Sequence, residues 1–99
     1  MNKMSNNMDI IKEIGTAAML EQLAEECTEL GKAALKMARI IRKDNPTPVT
    51  IEQAKENLCE ESGDVITCIE MLESADVLFV DDNARNEKIE RWKNRIKNR

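Results

Sequence analysis

The chain has 99 residues, a net charge of −4 from 15 bases and 19 acids, and no histidine. That length supports one domain with a thin core, and the acidic balance leaves no broad positive footprint for a nucleic-acid polymer. Without histidine the commonest zinc ligand and the commonest general base are both missing, so any chemistry must run on carboxylates.

Hydrophobic residues make up 41% of the chain, yet Trp92 and Phe79 are its only aromatics. The apolar content is therefore mainly Leu, Ile, Ala and Met, which suits helices better than strands and predicts an all-α protein. Cys27, Cys59 and Cys68 are an odd number without metal-motif spacing, which predicts free thiols and a cytoplasmic location. Met1 to Met8 is polar, and no apolar run in the chain approaches the roughly 20 residues of a membrane span. No membrane partner is expected, and no signal peptide.

In chain order, residues 1–16 read as a flexible N-terminus or a short helix over 9–14, which Gly15-Thr16 either ends or passes into the next helix. Residues 17–99 make the domain. From Ala17 to about Lys43 the apolar stripe is Leu20, Leu23, Cys27, Leu30, Ala34, Met37 and Ile41, with no proline inside. Asp44-Asn45-Pro46-Thr47-Pro48 ends that helix, because each proline disfavours helical geometry in the residue before it. Thr50 with Gln53 reads as a capping box that starts a second long helix, Ile51 to about Ser74. Ala75 to Asn83 is an apolar link ending in acids that can cap a last helix, Ala84 to about Lys97, with Ile89, Trp92 and Ile96 on its apolar face.

The two long helices each carry an acidic cluster, Glu25-Glu26-Cys27-Thr28-Glu29 and Glu60-Glu61-Ser62-Gly63-Asp64. Glu26 with Glu29 and Glu61 with Asp64 are three apart, so each pair projects from one helix face. Glu61 also takes a core position in the stripe Ile51, Ala54, Leu58, Glu61, Val65, Cys68, Leu72. An ionised carboxylate there needs a cation or water to offset its lost solvation. A short connector makes the two helices antiparallel, and both clusters then stand at one level. Gly31 and Gly63 sit at that height as well; close helix crossing and room for a ligand are both open as reasons. Converging carboxylates make an all-oxygen site, which selects Mg²⁺ or Mn²⁺. Such ions are commonly shared with phosphates, so a nucleotide or other polyphosphate is the expected substrate.

The order E-E-x-x-E (Glu25 to Glu29), a proline-containing break, then E-x-x-D (Glu61 to Asp64) resembles the MazG-like, all-α nucleoside triphosphate pyrophosphohydrolases over about residues 17–97. The resemblance implies a Mg²⁺-dependent enzyme that cleaves a (d)NTP between the α- and β-phosphates, giving a nucleoside monophosphate and pyrophosphate, in nucleotide-pool house-cleaning. It implies Glu26, Glu29, Glu61 and Asp64 as metal ligands, with Glu25 a further ligand or the residue that orients the water, so that Glu25 and Glu26 are the catalytic candidates. It implies substrate contacts after the second motif, for which Lys88, Arg91, Arg95 and Trp92 are the candidates here, although Trp92 reads first as the core anchor of the last helix, at the spacing of Ile89, Trp92 and Ile96. It also implies a homodimer or homotetramer, and the apolar stripes independently ask for a second copy to complete a four-helix bundle. Two alternatives stay open, a non-catalytic helical interaction or regulatory module and a phosphoribosyl-ATP pyrophosphohydrolase.

Overall fold

The computed structural model describes residues 7–43 and 48–99. They form helices α1 (Asn7–Ile14), α2 (Thr16–Arg42), α3 (Ile51–Ser74) and α4 (Asp82–Lys97), with no strand among the described residues. The all-α expectation holds. Residues 44–47 of the proline-containing connector and residues 1–6 lie outside the described residues.

The α2–α3 hairpin is the frame of the molecule. Met19 packs in one cluster with Cys68 and Leu72, while Glu26 meets Glu61 and Asp64, so positions rise along α2 as they fall along α3 and the helices are antiparallel. The capping box starts α3: Gln53 N–H donates to Thr50 Oγ1 at 3.1 Å and Thr50 N–H donates to Gln53 Oε1 at 2.9 Å. Two backbone donors that the helix itself leaves unpaired are thereby satisfied.

The seam on α3 keeps the expected 3-4 spacing, with Ala54, Val65, Cys68 and Leu72 buried and Leu58 and Glu61 half-buried. Ile51 is exposed. On α2 the seam runs one position away from the expected stripe. Met19 and Ala33 are buried and Leu23, Glu26, Leu30, Met37 and Ile40 are half-buried, whereas Leu20, Cys27, Ala34 and Ile41 are exposed. The cause is that α2 carries two apolar stripes at 3-4 spacing, and the sequence reading drew members from both. Glu26 therefore lies in the seam opposite Glu61.

Gly15, at φ 97 and ψ 145, separates α1 from α2, a backbone conformation that glycine adopts at little steric cost. The bend folds α1 onto both long helices and brings Ile11 into the cluster of Met19, Cys68 and Leu72, with Leu23, Met71, Ala75 and Leu78 around it. Within the described part of this segment the short helix expected over 9–14 is present, over 7–14. At the far end of α3, Asp76 takes φ 57 and Val77 N–H donates to Leu72 O at 3.0 Å, a left-handed helix end of the Schellman type.

The Asp81 side chain caps α4 by accepting from Ala84 N–H at 3.0 Å. None of the residues of α4 is buried, and α4 stands clear of the other three helices. Trp92 is 49% exposed, so within one chain it anchors nothing. Gly31 and Gly63 are likewise open, since a Cβ at either would meet no neighbour within 4 Å. The hairpin does not cross closely at these glycines.

Candidate functional site

Glu26 reaches the site from the α2 seam, and Glu61 and Asp64 reach it from adjacent turns of α3. One carboxylate oxygen from each lies within 4.8 Å of the others. The antiparallel register brings residues 26 and 61 to one level, and the three-residue step from Glu61 adds Asp64 beside them. Among the described residues no cation pairs with any of the three; the ion pairs there are Lys32–Glu29, Arg85–Asp82 and Lys93–Glu90, each within one helix.

The electrostatic result is visible in two of the acids. Partial loss of water raises the Glu26 carboxyl above its ordinary value; Asp64 raises it further through a shared hydrogen bond and by charge, and Glu61 adds repulsion. Gln22 pulls the other way, its Nε2 donating to Glu26 Oε1 at 3.1 Å. Glu61 is raised by desolvation first, then by the charges of Asp64, Glu29 and Glu60. Glu26 and Glu61, both half-buried and both beside the charge of Asp64, resist joint ionisation.

An open cleft of about 290 Å³ lies beside Glu26 and Asp64, lined by Gln22, Glu26, Asp64, Thr67 and Cys68. Burial raises the Cys68 thiol, followed by the charges of Glu26, Asp64 and Cys27. Gln22 and Thr67 were not singled out from the sequence, and Cys68 was read there only as a free thiol and a core position. Their signal was present: Gln22 precedes Glu26 by one turn, and Thr67 and Cys68 follow Asp64 by one turn.

Of the residues expected at the site, three come together. Glu29 stays outside the group, its Oε1 3.6 Å from Lys32 Nζ, though near enough to repel Glu61. Glu25 is exposed, about 100° around the helix from Glu26. Lys88, Arg91, Arg95 and Trp92 lie on α4, exposed and away from the hairpin. There Lys88 Nζ sits 5.6 Å from the Trp92 ring centre, and Arg91 lines a shallow surface groove with Asn83, Asn86, Glu87 and Glu90.

The donor set is all oxygen, anionic and self-repelling, which fits a hard divalent cation. Among the described residues, Glu26, Glu61 and Asp64 are the acids so grouped. Comparison with protein-family models, with curated proteins and with solved structures finds no match to this chain.

Proposed function

We propose that the chain is a Mg²⁺-dependent nucleoside triphosphate pyrophosphohydrolase that cleaves a (d)NTP between the α- and β-phosphates. The observation that carries this reading is the convergence of Glu26, Glu61 and Asp64, with Glu26 and Asp64 lining an open cleft and no cation paired with any of the three among the described residues. The order of the acidic motifs, E-E-x-x-E then E-x-x-D, supports the choice of reaction.

In this reading Glu26, Glu61 and Asp64 hold the ion, and Glu29 joins them by leaving Lys32. That exposed pair is worth roughly 0.5 kcal/mol, so its loss is no obstacle. The bound Mg²⁺ or Mn²⁺ supplies charge neutralisation for the phosphates. Glu25 orients the attacking water and accepts its proton. Lys88, Arg91, Arg95 and Trp92 stand away from these acids within one copy, so their part, balancing the charge on the departing pyrophosphate and offering a face for the base, requires α4 of another copy at the site. The enzyme works as a homodimer or homotetramer in the cytoplasm, on a nucleotide pool.

A second reading, a helical interaction module without catalysis, is favoured by one feature, the exposed Ile89, Trp92 and Ile96 on α4. A (d)NTP panel assayed with Mg²⁺ and with Mn²⁺ separates the two. The hydrolase releases pyrophosphate, and Glu61→Gln abolishes that release while far-UV circular dichroism stays helical. Absence of pyrophosphate across the panel assigns the chain to the interaction class, and release of orthophosphate places the cleaved bond elsewhere.

A further inference from the structure

The side of the hairpin that bears the carboxylate cleft also carries lysines. Measured from Ala33 in the α2 seam at 100° per residue, Gln22, Glu29 and Lys36 turn by about 20°, 40° and 60° in one sense, and Lys32 by about 100°. On α3, Asn57, Asp64 and Gln53 turn in the same sense from Cys68, by about 20°, 40° and 60°. Because the helices share one hand and run antiparallel, equal turns in the same sense bring both sets to one side. Lys36 is half-buried there and makes no ion pair among the described residues, while Lys32 has only Glu29, at 3.6 Å.

Along this side the charge changes with height. Glu25, Glu29 and Glu60 stand at or next to the level of Glu26, Glu61 and Asp64. Towards the connector end come Lys32 and Lys36 on α2, opposite Asn57 and Gln53 on α3, with Glu56 farther round at about 120° from Cys68. In the other direction, towards α1, the cleft is lined by the uncharged Gln22, Thr67 and Cys68. Side chains on a helix lean towards its N-terminus, so the lysines of α2 lean towards the acids. Lys32 does so, its Nζ meeting Glu29 three residues back. A lysine at 36 reaching back as far addresses the level of residue 33, about 10 Å along the axis from Glu26, a length that a phosphate pair and its hydrogen bonds cover.

We propose that Lys32 and Lys36 form a track for the β- and γ-phosphates and so fix the polarity of the substrate, with its phosphates towards the connector end and its nucleoside in the neutral cleft of Gln22, Thr67 and Cys68. These lysines stand on the same side of the same copy as the acids, unlike the bases of α4. Glu29 leaves Lys32 on joining the ligand set, and Lys32 is then free for a phosphate oxygen. Each lysine acts as a point charge with several donors, the form in which lysine binds phosphate. The identity of the substrate rests on the hydrolase reading, whereas the affinity of the track for a magnesium-bound polyphosphate does not.

The test is calorimetric binding of inorganic pyrophosphate to the intact chain in millimolar Mg²⁺, which needs no turnover. Lys36→Gln and Lys32→Gln are each expected to weaken binding about 10-fold, and Lys36→Arg, which keeps the charge, to retain most of it. Lys32 is exposed, so its variant decides the matter even if Lys36→Gln fails to fold. Lys55→Gln removes the same charge from the opposite side of the hairpin and is expected to leave binding unchanged. Thr67→Trp, which fills the neutral end, is expected to weaken a non-hydrolysable (d)NTP analogue about 10-fold and to spare pyrophosphate; any other pattern overturns the polarity. Wild-type protein that releases pyrophosphate from a (d)NTP, while both glutamine variants bind pyrophosphate as tightly as wild type, overturns the track and leaves the hydrolase reading. Wild-type protein that releases none yet binds pyrophosphate through these lysines overturns the hydrolase reading and leaves the track. No binding of millimolar pyrophosphate by wild type overturns the track outright.

Discussion

Glu61 occupies a seam position between Leu58 and Val65, where an apolar side chain would pack without electrostatic cost. Its carboxyl is raised by desolvation, then by Asp64, Glu29 and Glu60, so the ionised form is disfavoured in the metal-free fold. Glu61→Gln keeps the size and removes the charge; metal-free variant protein should melt higher than wild type at pH 7, while its pyrophosphate release falls roughly 100-fold or more. Thermal melts with and without millimolar Mg²⁺ check both halves, since the ion should stabilise wild type far more than the variant. A variant that melts lower than wild type without metal is the result against this account. The sign with pH follows from the same shift. A carboxyl raised above its ordinary 4.5 in the fold binds more protons folded than unfolded, so its contribution to stability is present below that value and is lost as pH rises through the raised native one. The stability advantage of Glu61→Gln should therefore vanish on going from pH 7 to pH 4, measurable by urea unfolding at the two values.

At the scale of the helices, what could be read in advance depended on how local the signal was. The start of α3 was legible because Thr50 and Gln53 make reciprocal hydrogen bonds three residues apart. Thr50→Ala removes the hydroxyl that accepts from Gln53 N–H and should cost about 1 kcal/mol, a fall in melting temperature of about 4–8 °C for a domain of this size, by thermal circular dichroism. The level of the two acidic clusters was legible too, because a short connector fixes hairpin register by counting. The phase of α2 was not. Its two stripes fit the 3-4 template equally well, and only packing against α3 decides that Met19, Leu23 and Ala33 turn inward while Leu20, Cys27 and Ala34 turn out. That choice also places Glu26 in the seam, which the mixed stripe had hidden. The position of α4 was beyond reach for a different reason: Ile89, Trp92 and Ile96 mark an apolar face, but a face does not say what it packs against.

The whole chain shows how little one copy buries. Its radius of gyration is 17.5 Å, against about 13 Å for a compact domain of 100 residues. Large apolar side chains stay exposed from Leu20 to Ile96, and the main cluster, around Ile11, Met19, Cys68 and Leu72, lies at one end of the hairpin. A chain of this kind gains stability by mass action when copies associate, because the assembly binds the folded form and not the unfolded one. If folding and dimerisation are coupled, each tenfold rise in protein concentration adds about 1.4 kcal/mol per dimer to the unfolding free energy. With an unfolding entropy near 2.1 cal/mol/K per residue, two chains should then melt about 3 °C higher per decade. Calorimetry from 5 to 500 µM should accordingly move the melting temperature by about 6–7 °C. A melting temperature flat across that range would mean that one copy supplies all of its own stability, and the exposed stripes would then need an explanation other than self-association.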